Sequence, residues 1–142
     1  MKMQVLYFSK DGNSQILANA LSREHRCKCD QIPPAYPCEN EKLVIIGLEL
    51  NGKEAPKQVV DFCKNMTDKR AKNVAFFEVS SNGGIDGLGN LKSILKGNGI
   101  NVMDDVHICT VKGSLFSKGK VTEGDVVAIK DWSIKLIEKL SQ

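Results

Sequence analysis

Ser9-Lys10-Asp11-Gly12-Asn13-Ser14 is a run of six small, polar or charged residues. It follows an apolar stretch and opens an amphipathic one, so it joins a first strand to a helix. A helix start carries unsatisfied N–H groups and the positive end of the macrodipole. Gly12 and the hydroxyls of Ser9 and Ser14 suit close wrapping around an oxyanion. The chemistry such a loop offers is phosphate holding; the plainer alternative is a polar turn with a capped helix. Asp11 is an anion in the middle of it, which a phosphate loop has to accommodate.

Other chemistries lack their residues. No G-x-G-x-x-G follows the first apolar run, and there is no G-x-x-x-x-G-K-[ST]. No Cys and Arg frame the loop, as a phosphatase with a cysteine nucleophile requires. A phospho-acceptor receiver needs an acidic cluster by the first strand and an Asp ending the third; Ser9 and Glu49 stand there. His25 and His107 have no Ser or Cys nucleophile near them in sequence and read as structural. Cys63 and Cys109 fall in apolar patterns and read as small core residues. Cys27, Cys29 and Cys38 lack a usual zinc spacing, with only His25 near enough to be a fourth ligand, and read as buried or strand-edge thiols. No metal site is expected.

The elements that position the loop follow from hydrophobic period. Residues 3–8 ("MQVLYF"), 43–48 ("LVIIGL"), 73–80 ("NVAFFEVS") and 106–111 ("VHICTV") read as buried strands, and 27–32 ("CKCDQI") as a weaker one. Helical stripes lie between them. The first spans 14–26 with Ile16, Leu17, Ala20 and Leu21, capped by Asn13 or Ser14. A second has Pro56 in its first turn and Val59, Val60, Cys63 and Met66 on its face. A third carries Leu88, Leu91, Ile94 and Leu95 and closes at Gly97 or Gly99. Thr122 and Asp125 form a capping box for a last helix with Val126, Ile129, Trp132, Leu136 and Leu140. Strand and helix alternate five times, which predicts an α/β, three-layer, doubly wound sandwich over a single domain, 1–142, with a five-stranded parallel sheet in the order 2-1-3-4-5. Ligands of such sheets sit beyond the carboxyl ends of the strands. Three loops meet there: 9–14, 49–55 and 81–87.

The 142 residues suit one domain with a full core. The net charge of +3 comes from scattered lysines without a basic block or interleaved aromatics, which argues against nucleic-acid binding. No stretch is apolar and long enough for a membrane span, and the short run before Ser9 does not suit a signal peptide. A cytoplasmic location is expected.

"VLYFSKDGNSQILANAL" resembles the opening of flavodoxins, where a strand ends in Ser/Thr-x-Thr-Gly-Asn-Thr and runs into a helix. "KLVIIGLELNGKEAPKQVVDF" is similar to their third strand and next helix. "NVAFFEVSSNGG" is similar to their fourth strand and flavin-contacting loop, and "GSLFSKGKVTEGDV" to the run into their last helix. The resemblance implies non-covalent flavin mononucleotide (FMN) as cofactor and electron transfer between redox proteins as function. It implies that Ser9, Lys10, Gly12, Asn13 and Ser14, with Asp11 among them, surround the phosphate. Leu50 and Asn51 then approach one side of the ring, and Ser81, Asn82, Gly83 and Gly84 the other, with Glu49 also among the cofactor-binding residues. No catalytic residue is implied, because the flavin carries the chemistry.

Three residue patterns differ from that family. Asp11 stands where it usually has Thr; a carboxylate about 5 Å from a phosphate charge costs roughly 3 kcal/mol at an effective dielectric of 20. No aromatic residue lies in 49–55 or 81–89 to stack on the ring. The charge is mildly positive where flavodoxins are strongly acidic, so partner steering differs. Two further functions stay open: a flavodoxin-like module that binds or regulates with weak or no flavin affinity, and a small FMN-dependent reductase.

Overall fold

Strands buried on both faces need apolar side chains at successive positions, and four segments of this chain supply them. The computed structural model describes residues 1–50, 54–81, 87–112 and 119–142. Its strands are β1 (Met3–Phe8), β2 (Lys28–Gln31), β3 (Glu41–Glu49), β4 (Ala71–Ser80), β5 (Asn101–Val102) and β6 (His107–Thr110). Its helices are α1 (Asn13–His25), α2 (Lys57–Lys64), α3 (Gly89–Gly97) and α4 (Glu123–Leu140).

All pairings are parallel. The order runs β2-β1-β3-β4, and both β5 and β6 pair with β4. β5 meets Asn73 and Val74, and β6 meets Phe77 to Ser80. The fifth sheet position is therefore filled in two pieces. The expected order 2-1-3-4-5 holds, with one two-residue strand added ahead of the strand expected at 106–111.

Alternation along β3 divides the core. Val44, Ile46, Leu48 and Leu50 face α2 and α3 and pack with Val59, Cys63, Leu91 and Leu95. Leu43 and Ile45 face the other way, against Leu17 and Leu21 of α1 and Ile129 and Leu136 of α4. Each such side chain contributes about 1.5–3 kcal/mol on full burial. Gly47 and Glu49 continue that second face. At Gly47 the Phe77 ring from β4 takes the side-chain space: a Cβ there would lie 1.9 Å from Phe77 Cζ.

The helix boundaries refine the sequence expectations. Thr122 and Asp125 do form a reciprocal capping box on α4. Pro56 is the residue before α2 rather than part of its first turn. α3 ends at Gly97, and Gly99 takes the left-handed conformation (φ 85°) that a residue without Cβ adopts at low cost. α1 is not capped by Asn13 or Ser14. Gly12 holds its N-cap position, with φ 85°, and contributes no side chain. Asn13 and Ser14 are buried inside the first turn.

All five cysteines are free thiols. Cys38, Cys63 and Cys109 are buried, and burial pushes the Cys63 thiol up to about 12, as befits a small core residue. Among the described residues no helix is long and apolar enough to cross a membrane.

Candidate functional site

The left-handed turn at Gly12 bends the chain so that successive amides point inward, a concave arrangement that binds anions. An anion is already there. Glu49, the last residue of β3, lies one position past the Phe8–Leu48 pair and so stands at the loop's mouth. Its side chain shares the α1 face of the sheet with Leu43 and Ile45, and the residue is 7% exposed.

The carboxylate is held at both oxygens. The Lys10 amide donates to Oε2 at 2.8 Å, and the Ser14 hydroxyl lies 3.0 Å from the same atom. The amides of Asp11 and Asn13 donate to Oε1 at 3.2 and 3.3 Å. The remaining amide of the turn, Gly12, donates to the Ser9 hydroxyl oxygen at 2.9 Å. Ser14 also sits 3.0 Å from the Phe8 carbonyl, and its single proton serves one acceptor at a time. Every amide from Lys10 to Asn13 is thus satisfied. α1 has no acidic residue in its own first turn, so Glu49 supplies both the cap and the negative charge that the helix start favours.

Asn13 has a second task. Its Nδ2 donates to the Gly119 carbonyl at 2.9 Å, and its Oδ1 accepts from the Val121 amide at 3.0 Å. One side chain thereby fastens the start of α1 to the segment that leads into α4.

The structure places the expected residues unequally. Ser9, Lys10, Asp11, Gly12, Asn13, Ser14 and Glu49 come together in the loop. Asp11 is exposed, and its amide donates to Glu49; the internal anion of the loop is Glu49, not Asp11. Leu50 is not free to approach a ring from the surface: it is 4% exposed and packs in the α2–α3 core. Ser81 is exposed at the end of β4. Asn51, Asn82, Gly83 and Gly84 lie outside the described residues.

Two features went unanticipated: the capping by Glu49 and the tie through Asn13. The signals in the sequence are a carboxylate that ends the apolar run of β3 and a helix start with no acid of its own. His25 does have a serine beside it after all. Its Nε2 lies 2.7 Å from Ser133 Oγ, but that hydroxyl donates to the Lys130 carbonyl at 2.7 Å. The imidazole is therefore the donor, and the pair clasps α1 to α4 rather than activating a nucleophile. Burial lowers the affinity of His25 for a proton, which favours the neutral ring. A cleft of about 280 Å³ opens at the other end of the sheet, lined by Pro33, Pro37, Cys38, Phe62, Met66 and Arg70 among others. It brings a single charged residue and no set of convergent polar groups.

No protein-family model matches the chain, and no curated protein matches its sequence. Solved structures do match its fold. A flavodoxin from the domain Archaea superposes with a TM-score of 0.70 at 17% identity, with both chains covered over 100% of their length. Oxidised flavodoxin 2 from Bacillus cereus gives 0.68 at 17%, covering 98% of this chain and 99% of that one. A flavoprotein from Lactobacillus acidophilus, solved in complex with FMN, gives 0.64 at 15%, covering 93% and 98%. The fold is flavodoxin-like.

Three amides and one hydroxyl converge on one oxyanion, and the carboxylate of Glu49 stands where they meet. The donor set is one that a phosphate group fits, and a phosphate using these donors takes the place of that carboxylate.

Proposed function

We propose that this chain is an FMN-binding electron carrier of flavodoxin type. The observation that carries the reading is the turn at residues 9–14, whose amides gather around a single oxyanion at the carboxyl end of β1 and β3. Ser9, Lys10, Asn13 and Ser14 would hold the phosphate of the cofactor, with the α1 dipole behind them. The bound flavin supplies the one-electron chemistry. The chain's own work is to hold the phosphate and keep the loop fixed, which Asn13 does by tying it to residues 119 and 121. Partners would be redox proteins selected without strong acidic steering, given the net charge of +3.

A second reading is favoured by the same carboxylate. With Glu49 in the loop and Leu50 in the core, the fold also suits a binding or regulatory module without flavin. Titration of FMN with the purified protein separates the two. Saturable quenching of flavin fluorescence is expected. Unchanged fluorescence at excess protein would leave the module reading standing.

A further inference from the structure

We propose that Glu49 is a resident competitor for the phosphate loop: it occupies the donors that a ligand's phosphate needs, and so sets how strongly the site favours phosphate-bearing ligands. The proposal deepens the FMN reading in its flavin arm and stands apart from it in its phosphate arm.

The occupancy is specific. Glu49 comes from a different strand, is nine-tenths buried, and engages both carboxylate oxygens with two contacts each. The fourth amide is spent on Ser9. A phosphate monoester therefore finds no amide of residues 10–13 unused. It cannot share them with a carboxylate, because two anions in one low-dielectric turn repel. Entry requires the Glu49 side chain to leave. The apparent affinity of a phosphate is then its intrinsic affinity multiplied by the fraction of molecules whose loop is open. A ligand without a phosphate pays nothing of this kind.

The consequence is a ratio. In the wild type, FMN and riboflavin should bind within a few-fold of each other, because the phosphate gains little net. In Glu49→Gln the side chain keeps its size and one acceptor but loses its charge, so it competes less well. FMN should then gain about tenfold or more over riboflavin. Glu49→Ala should gain at least as much where it folds.

The test titrates wild type, Glu49→Gln and Glu49→Ala with FMN and riboflavin by fluorescence, and with inorganic phosphate by thermal shift and amide NMR. Supporting results are a wild type whose Lys10–Asn13 amides ignore phosphate, variants whose same amides shift saturably, and a rise in the FMN-to-riboflavin ratio on substitution. The proposal is overturned if the wild type prefers FMN by more than about tenfold, if its loop amides bind phosphate saturably, or if substitution leaves the phosphate response unchanged. If no protein binds either flavin, the FMN reading fails while the phosphate arm still decides the role of Glu49. If both variants fail to fold, the wild-type phosphate titration decides alone, in either direction.

Discussion

The α4 helix caps itself, whereas α1 is capped by a residue on another strand. At α4, Thr122 Oγ1 accepts from the Asp125 amide at 3.2 Å, and Asp125 Oδ2 accepts from the Thr122 amide at 2.8 Å. Four consecutive residues close the exchange, and the site stays exposed. At α1, the N-cap is a glycine without a side chain, and the carboxylate arrives from β3, where it is buried. A local cap stabilises one helix. A cap delivered across the sheet also ties the end of β3 to the loop after β1, and it fills the concave donor turn at residues 9–14.

Breaking the α1 cap should have the largest effect on stability. Glu49→Ala leaves three amides to water in a tight turn and should cost about 2–3 kcal/mol, measured by denaturant unfolding. A loss well below 1 kcal/mol, as for an ordinary surface change, would mean that the carboxylate spends little time in the loop. Asn13→Ala comes next. It removes the two hydrogen bonds that connect the two helix starts, and about 1–2 kcal/mol is expected. Combined with Glu49→Ala in a double-mutant cycle, it should be non-additive, because both side chains order the same turn. Strict additivity would show that the two ends of the loop are independent.

Removing the α4 capping box with Thr122→Ala should cost about 1 kcal/mol and leave every ligand titration at the loop unchanged. A changed phosphate response in that variant would break the distinction between a cap that only stabilises and one that also occupies a site.

The smallest effect concerns Glu41, at the other end of the same strand. Glu41 is also buried, but its Oε2 has no hydrogen-bond partner among the described residues. Burial pushes its carboxyl above the usual range, partly offset by Lys2 and Lys28. The folded state therefore binds this proton more readily than the unfolded chain does, and the stability this gives is lost as pH rises through the folded pKa. Glu41→Gln should melt slightly above wild type near neutral pH, with the difference vanishing below about pH 4. A variant less stable than wild type at neutral pH would show that the ionised carboxylate is stabilised after all.

Legibility in the sequence follows the range of the interactions. The strands of "MQVLYF", "LVIIGL" and "NVAFFEVS" and the stripes of α1 to α4 are local patterns, and the doubly wound order follows from their alternation. Thr122 and Asp125 are three residues apart and announce themselves. Asn101–Val102 is too short to carry a period, so the split of the fifth strand position was not readable. The loop at 9–14 could be located, because polar residues between a strand and a helix mark it. Its occupant could not. In the sequence Asp11 is the anion within the loop, yet the carboxylate that occupies it lies almost forty positions away, and only the β1–β3 register brings it close.

The most direct test of the account is the amide spectrum of the ligand-free protein, compared between wild type and Glu49→Gln. Amide protons held by a carboxylate resonate downfield. Lys10, Asp11 and Asn13 are expected to shift strongly upfield on substitution, while the Asp125 amide at the start of α4 does not move. Spectra that superimpose at those three residues would contradict it, and would return the loop to an open anion site.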